Sequence, residues 1–153
     1  MKLAARKRDL WIYSMTDRER LLFQEMLDLY PQVPDTHHRL TAGAVSESWA
    51  EQQRLLEESM MEHRQENKRR LLDMLGGEGW FKKGDEDPLL EVSSEQREML
   101  LQLFNDVRVG FWLQLGSPEE EDKIKLCEDA ANIPKLMAME FCAAFQMMLL
   151  SGK

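Results

Sequence analysis

The last part of the chain holds one nearly uninterrupted apolar stretch, Ile133 to Leu150. The stretch is close to the length that spans a bilayer, but Lys135, Glu140 and Gln146 interrupt it, and Glu140 would lie near the bilayer centre. A helix that is apolar on nearly every side has to be enclosed by other elements. The stretch therefore predicts a central helix over about 135–150, with the rest of the chain packed around it.

Local signals predict further helices before this one. Thr16 followed by Glu19, and Ser93 followed by Gln96, have the form of capping boxes. The first predicts a short helix directly after it, and the second predicts a longer helix over about 94–115. A Ser-Pro-Glu-Glu sequence shortly afterwards, with proline in the first turn and acids at the positive dipole end, predicts one more helix start.

The longest predicted helix covers about residues 47–75, and its apolar pattern is unusual. A ladder with spacings of four and three runs through it, which is typical of a helix–helix seam. The ladder is apolar at both ends and polar in the middle, so we expect the middle to project beyond the core and to contact a partner, a second copy or only solvent. The ladder consists of Trp49, Gln53, Leu56, Met60 and Met74, with the partner-binding candidates His63, Asn67 and Arg70 in its polar part.

Strand signals are short and few. Residues 10–13 and 89–92 are rich in strand formers and could pair as a two-stranded ribbon. Glycines make residues 76–88 a flexible connection, which Trp80 and Phe81 are expected to pin to the body. The predicted fold is therefore all-α: residues 1–153 form a single helical bundle of about five helices, with a small two-stranded β appendage.

Two charged side chains fall on apolar helix faces, and a buried charge needs a partner. They are Arg108, in the helix over 94–115, and Glu140, in the last helix. The simplest arrangement is a polar clasp in which Arg108 faces Glu140, with Asn105 or Asp106 helping. The alternatives are an anion site at Arg108, or a small enzyme with a pocket at these four residues.

Charge limits the other partner classes. The formal net charge is −8, which repels nucleic acids and anionic lipids at long range. Two basic clusters nevertheless make contact with nucleic acid an open alternative. Residues Arg6, Lys7 and Arg8 form one cluster, and Lys68, Arg69 and Arg70 form the other, where neighbouring acids compete for them.

The sequence carries no strong catalytic or metal motif. It has no nucleotide-binding glycine loop and no nucleophile elbow. The adjacent His37 and His38 do not favour a shared metal, and His63 with Glu66 reverses the order found in di-iron bundles. Cys127 and Cys142 are predicted to be buried, reduced thiols, which fits the cytoplasm. We expect no metal, no cofactor, no signal peptide and no membrane anchor.

The segment Leu103–Gly116 resembles an uncharacterised bacterial family, a domain of unknown function. Its members carry a Leu-Asn-Asp-x-Arg stretch in a late helix that ends in Leu-Gly. Asn105, Asp106 and Arg108 stand at the matching positions, with Phe104 in place of the first Leu. Members also open with a basic stretch and a short strand, like residues 6–13. The resemblance covers the last third of the chain and its start.

The resemblance carries implications about context but not about a reaction. Members of the family are encoded near the ClpS protease adaptor in some bacteria, and some are described as possible transcriptional regulators. From the residues and this resemblance together, the main prediction is a non-enzymatic cytoplasmic protein that binds another protein or itself through the helix over about 47–75. A nucleic-acid-associated regulator and a small enzyme stay open as alternatives.

Overall fold

The computed structural model describes residues 1–33, 47–76, 80–84 and 86–151. Within them, a four-stranded antiparallel sheet packs one face against helices. The strands are β1 (Lys2–Lys7), β2 (Leu10–Ser14), β3 (Phe81–Lys82) and β4 (Leu89–Ser93). The helices are α1 (Asp17–Asp28), α2 (Glu47–Gly76), α3 (Ser94–Gln114), α4 (Lys123–Leu126) and α5 (Ile133–Leu150), with a 3-10 turn over Glu120–Asp122.

The prediction of an all-α fold was wrong, because the predicted ribbon is the centre of a larger sheet. β2 and β4 pair as predicted, with Leu10 opposite Ser93. β1 then adds to the free edge of β2, and β3 adds to β4, which gives the order β1-β2-β4-β3. The two outer strands had no sequence signal, since β1 lacks β-branched and aromatic residues and β3 is two residues long.

Two of the predicted helix starts are confirmed. In α1, the Thr16 hydroxyl accepts the backbone N–H of Glu19, and the Glu19 carboxylate accepts the backbone N–H of Thr16. Ser93 and Gln96 make the same reciprocal bonds at the start of α3. These bonds satisfy backbone donors that a helix start leaves without partners, so each start is fixed locally.

One face of the sheet forms the floor of the core. Trp11 and Tyr13 alternate along β2 and lie opposite Val92 and Leu90 of β4, and all four are buried. The Tyr13 hydroxyl donates to the carbonyl oxygen of Leu149, 3.1 Å away, near the end of α5. The apolar face of the sheet is thereby joined to the last helix.

Above the sheet, three aromatic rings hold the helices together. Phe23 of α1, Phe104 of α3 and Phe145 of α5 pack with ring centroids 5.1 to 5.6 Å apart. The Phe23 ring meets the other two edge-on, an arrangement that aromatic quadrupoles favour. Among the elements that the structure describes, α3 and α5 form the most extensive helix–helix contact.

α5 is not the enclosed central helix that its composition predicted. One side of it is buried, including Cys142, Phe145 and Leu149, while Met137 and Met147 on the other side are exposed. The reason is that the sheet, α1 and α3 all lie on the same side of α5. By length and composition, α5 is the one helix in the described ranges that could cross a membrane, a test that the core helix of a folded domain also passes.

The predicted connection over 76–88 is attached to the body where expected. Trp80 is buried, and its carbonyl oxygen accepts the backbone N–H of Glu91 at 3.1 Å. Phe81 starts β3 and packs against the core. Both aromatic residues therefore pin this segment as predicted, while 77–79 and 85 lie outside the described residues.

Candidate functional site

The second half of α2 lies antiparallel to α3. Arg70 contacts Glu95 at the start of α3 with 3.4 Å between Nη1 and Oε1. Further back along α2, Arg64 lies 3.5 Å from Asp106, three turns later in α3. α3 is thus flanked by α2 on one side and by α5 on the other.

Asp106 is the point where three segments meet. Its Oδ1 accepts the backbone N–H groups of Gln32 at 2.6 Å and Val33 at 3.2 Å, and its Oδ2 pairs with Arg64 of α2. The side chains of Arg64 and Asp106 are both largely buried. A charge-assisted hydrogen bond is stronger than a neutral one, so this carboxylate fixes α2 and the segment after α1 onto α3.

Tyr30 and Asn67 form a second attachment beside Asp106. Asn67 is only 8% exposed and makes a side-chain hydrogen bond with Tyr30. One residue further along α2, Lys68 donates to the Tyr30 carbonyl oxygen at 2.7 Å. Burial raises the pKa of the Tyr30 hydroxyl, although its hydrogen bond with Asn67 opposes the rise, so the ring is held as a neutral phenol.

The expectation that the middle of α2 projects from the core was therefore wrong. Of the polar residues on the predicted ladder, Asn67 is buried, Arg70 is paired with Glu95 and Glu66, and His63 borders a cleft beside α3. The polar middle of α2 packs against the body because the surface that it contacts is polar too. Asp106 and the backbone carbonyl of Tyr30 supply the partners that the sequence pattern did not reveal.

A cleft of about 300 Å³ lies between α2 and α3. It joins residues that the sequence placed in separate groups, His63 and Asn67 from α2 with Asn105 and Asp106 from α3. The cleft is at the small end of the range for ligand sites. Among the described residues, no group of three or more His, Cys, Asp or Glu side chains could hold a metal ion; His37 and His38 lie outside them.

The first half of α2 is less buried than the second: Gln53, Leu56, Glu57 and Met60 are half-buried, and the other residues of 47–62 are exposed. Trp49 is 52% exposed and Leu55 is 54% exposed, and Met61 is also exposed. Arg54 pairs along the same helix with Glu51 at 3.7 Å and Glu58 at 3.6 Å. The helix therefore presents large apolar side chains and within-helix ion pairs to solvent, whereas its second half contacts the body.

The predicted clasp between Arg108 and Glu140 is not formed. Arg108 Nη1 instead donates to Gln146 Oε1 at 2.6 Å, and Gln146 Nε2 donates to the carbonyl oxygen of Leu101 at 2.9 Å. Glu140 is exposed and accepts a 3.1 Å bond from Lys123. The prediction failed because it required an opposite charge for Arg108, whereas a neutral amide on the facing helix satisfies the half-buried guanidinium.

The predicted enzyme pocket is divided in the same way. Asn105 and Asp106 lie at the cleft beside α2, while Arg108 faces α5 and Glu140 lies on the outer side of α5. These four residues therefore do not converge on one cavity. The prediction that both cysteines are buried was wrong for Cys127, which is exposed, and is confirmed for Cys142. Burial raises the pKa of the Cys142 thiol near Arg108 to about 12, so this cysteine is held in its unreactive protonated form.

The basic residues of α2 are largely engaged within the chain. Lys68 binds the Tyr30 carbonyl, and Arg69 pairs with Glu66 at 2.8 Å and Asp73 at 3.0 Å. Hydrogen bonds from Arg69, and then from Arg70, lower the pKa of the Glu66 carboxyl to about 2. Such pairing reduces the positive charge available to a phosphate.

The N-terminal basic residues lie at the hairpin between β1 and β2. Arg8 occupies the turn with a φ of 51°, and both Lys7 and Arg8 are exposed. The Arg6 guanidinium stacks on the Trp11 ring at 4.3 Å, and that ring also receives Arg97 at 4.2 Å. Arg6 is thus part of a cation–π arrangement that fixes the edge of the sheet.

Comparisons with family models, curated proteins and solved structures found no match for this chain. The resemblance to an uncharacterised bacterial family therefore stays a prediction.

Sequence reasoning missed Tyr30, Gln32 and Gln146 as polar partners. One signal for the first two was present in Gly110, because glycine inside a helix is unfavourable and often marks a close approach. A Cβ built at position 110 would lie 2.3 Å from the Cβ of Gln32. Gln146 was noted only as a polar residue that interrupts the apolar stretch, and its role as the partner of Arg108 was not predicted.

Proposed function

We propose that this chain is a non-enzymatic cytoplasmic protein that binds another protein through the exposed first half of α2. The observation that carries the proposal is the unequal burial of one helix. The second half of α2 is attached to α3, while Trp49 and Leu55 in the first half are each more than half exposed. Large aromatic side chains are common among the residues that dominate protein interfaces.

The attachments of the second half support this proposal. Arg64, Asn67 and Lys68 hold the second half of α2 against Asp106 and Tyr30, which fixes the orientation of the helix. A helix that is already formed and oriented loses less conformational entropy on binding than a free segment does. Recognition of an amphipathic helix in a groove of the partner is a common mode of this kind.

Charge favours a different protein over a second copy as the partner of this half-helix. Residues 47–62 contain five acidic side chains and one basic side chain, Arg54. Two such segments crossing each other would bring like charges together, which opposes association. A partner whose groove has a basic rim would instead be attracted to the segment.

The two alternatives have less support from the geometry. For nucleic-acid binding, Lys68 and Arg69 are already engaged within the chain. The exposed Lys7 and Arg8 would then have to bind a phosphate backbone despite a net charge of −8. For an enzyme, Arg108 and Glu140 lie away from the cleft that holds Asn105 and Asp106. Neither alternative uses the exposed apolar residues of α2.

The test is capture of partners from bacterial lysate with the immobilised chain, followed by direct binding measurements on each recovered protein. Trp49→Ala together with Leu55→Ala should lower the affinity for a true partner at least tenfold, since large apolar anchors dominate interfaces. The matched control is Leu21→Ala, because Leu21 on α1 is equally exposed at 53%.

Two outcomes would contradict the proposal. One is equal affinity of the double variant, the control and the unchanged chain for every recovered protein. The other is recovery of nucleic acid whose binding falls steeply with added salt and is insensitive to the α2 substitutions, since phosphate contacts are salt-dependent. Circular dichroism checks that the variants keep their helices.

A further inference from the structure

The outer edge of β1 is a strand edge that the fold leaves unpaired. Within the residues that the structure describes, the sheet order β1-β2-β4-β3 leaves β1 with β2 as its single neighbour. β1 has six residues, whereas the other outer strand, β3, has two. An edge strand presents backbone N–H and C=O groups that can pair with another extended segment. This edge is separate from the first half of α2, and the inference below does not depend on the function proposed above.

The edge carries positive charge that the chain itself does not neutralise. Residues 2–14 contain four basic side chains and one acidic side chain, Asp9, which accepts a hydrogen bond from Ser94. Glu19 pairs with the N-terminal amine. Across the described parts of the chain, no carboxylate pairs with any of the four cations, whereas the arginines of α2 are all paired. The four exposed cations are Lys2, Arg6, Lys7 and Arg8.

Arg6 is held in a position from which it can bind a carboxylate. Its guanidinium stacks on the Trp11 ring at 4.3 Å, and Arg97 on the same ring adds further positive charge. Stacking uses the face of the guanidinium, so the N–H groups around its rim stay able to donate. Because the stacking already restricts the side chain, less conformational entropy is lost when a carboxylate binds.

We propose that the outer edge of β1 binds an extended acidic segment of another protein, which joins the sheet as an additional strand. The backbone of the segment pairs with the backbone of β1, and its carboxylates contact Lys2, Arg6 and Lys7. In strand addition of this kind, main-chain hydrogen bonds supply affinity and side chains supply specificity. Opposite charges on neighbouring strands add to the stability of the pair.

A second copy of this chain does not fit this edge. Two β1 strands side by side would bring together Lys2, Arg6 and Lys7 of both copies without an acid between them, and like charges opposed across strands are destabilising. Within the described residues, the acidic runs of the chain lie in α2 and in the 3-10 turn over Glu120–Asp122. These runs are helical, so a second copy offers no acidic strand.

The overall charge favours a short acidic segment over a nucleic acid. The net charge of −8 repels anions at long range, and the repulsion grows with the charge of the partner. A nucleic acid carries a charge at every phosphate, whereas a short segment carries only a few carboxylates. A nucleic acid would also leave the backbone groups of the edge without partners.

The geometry of β1 limits the strength of the contact. Its ladder with β2 is irregular between Leu3 and Ala5, after which Ala5, Arg6 and Lys7 pair in regular register. Bulges and lysines at a sheet edge hinder the addition of further strands, although lysine attracts a strand of opposite charge. We therefore expect a short contact with micromolar affinity that weakens as salt is added.

The first test measures binding of the full chain to a fluorescent hexapeptide in which glutamate and valine alternate. One control peptide has lysine in place of glutamate. The other keeps the glutamates but carries a methyl group on every backbone nitrogen, which removes the N–H donors and leaves the charge unchanged. Fluorescence anisotropy should show binding of the glutamate peptide, no binding of the lysine peptide, and roughly tenfold weaker binding of the methylated peptide.

The second test changes the charge of the edge. Lys2→Glu together with Lys7→Glu should weaken binding of the glutamate peptide roughly tenfold, because two attractions become repulsions. The matched control is Lys83→Glu together with Lys125→Glu, at two exposed lysines away from β1. It makes the same change in net charge and should alter the affinity less than about twofold. Circular dichroism checks that both double variants stay folded.

The third test detects the added strand directly and uses the unchanged chain. In an antiparallel sheet, alternate residues of a strand point their backbone groups to opposite sides. A saturating amount of the glutamate peptide should therefore slow hydrogen exchange at alternate amides within residues 2–7. The amides of β3, at the other edge, should exchange as before.

Several results would overturn the inference. They are no binding of the glutamate peptide at millimolar concentration, equal binding of its methylated form, equal losses in the two double variants, and unchanged exchange of the β1 amides. A single-stranded oligonucleotide that binds more tightly than the peptide, and is lost with the Lys2 and Lys7 changes, would assign the edge to nucleic acid instead. The role proposed for α2 is tested separately through Trp49 and Leu55, so either idea can fail alone.

Discussion

The two helices that flank α3 divide their surfaces in opposite ways. α2 is polar over most of its 30 residues. Its second half contacts the body, and its first half is more exposed. α5 is apolar over nearly all of its 18 residues. One face of it is buried along the whole helix, and the opposite face is exposed. The average hydropathy of a helix therefore does not predict how it is attached. The polar helix α2 is bound through polar groups, and the apolar helix α5 leaves one apolar face exposed.

The same contrast appears in how the helices are attached. α2 is held by a carboxylate, an amide and an ammonium, at Asp106, Asn67 and Lys68. α5 is held by packing of Phe145, Cys142 and Leu149, with polar bonds at its Gln146 and near its end. Substitutions at matched buried and exposed positions on each helix measure how sharp these divisions are.

The largest effect is expected across the circumference of α5. Phe145→Ala removes a ring that packs against Phe23 and Phe104, and it should lower the free energy of unfolding by about 3–5 kcal/mol. Met147→Ala, two residues away on the exposed face, should change it by less than about 0.5 kcal/mol. Urea titration followed by circular dichroism measures both; equal losses would refute the division around α5.

A somewhat smaller contrast is expected along α2. Leu71 is fully buried against the core, so Leu71→Ala should cost about 2–5 kcal/mol. Leu55→Ala makes the same chemical change at a 54% exposed position of the same helix and should cost less than about 0.5 kcal/mol. Thermal and urea unfolding provide the measurement. A large loss at Leu55 would mean that the first half of α2 contributes to the core.

The smallest effect concerns Glu66, on the solvent side of α2. Its pKa is lowered to about 2 in the folded chain, because Arg69 and Arg70 stabilise the carboxylate. Because the pKa of Glu66 is lower in the folded chain than in the unfolded chain, its ionised carboxylate stabilises the fold. This stabilisation is complete above the ordinary pKa of 4.5 and is lost as the pH falls toward 2. NMR titration of the Glu66 carboxyl carbon should give a midpoint near 2.

The control for this titration is Arg69→Gln, which removes the main hydrogen bond to Glu66 and should move the midpoint upward toward 4.5. Added salt should move it in the same direction, because these exposed ion pairs are screened. A midpoint of 4.5 in the unchanged chain would show that the three side chains do not pair in solution. In that case the outer surface of α2 would offer more free positive charge than described above.

Local sequence signals predicted much of the fold. The capping boxes at Thr16 and Ser93, the pairing of residues 10–13 with 89–92 and the burial of Trp80 all came from short-range chemistry. What failed depended on long-range placement. β1 is a strand because β2 offers it a free edge, and its own residues carry no such preference.

The candidate site was predicted in pieces only. His63, Asn67, Asn105 and Asp106 were each singled out, but not as members of one cleft, since spacing along a helix does not say which neighbour it meets. Arg108 was assigned a charged partner, whereas Gln146 satisfies it. Many different groups can meet the hydrogen-bonding demand of a guanidinium, so the sequence alone could not choose among them.

Gly110 of α3 lies so close to Gln32 that one added methyl group would disturb the contact. Because Gln32 and Arg64 of α2 both bind Asp106, the disturbance would reach the position of α2. An alanine Cβ at position 110 would lie 2.3 Å from the Gln32 Cβ and 2.5 Å from its carbonyl carbon, both too short for any stable contact. Gln32 would have to withdraw, and with it one of the two amides that grip the Asp106 carboxylate. A single added methyl group at position 110 would then weaken the attachment of α2 at Asp106. It would change the orientation of the helix that carries Trp49 without contacting Trp49 itself.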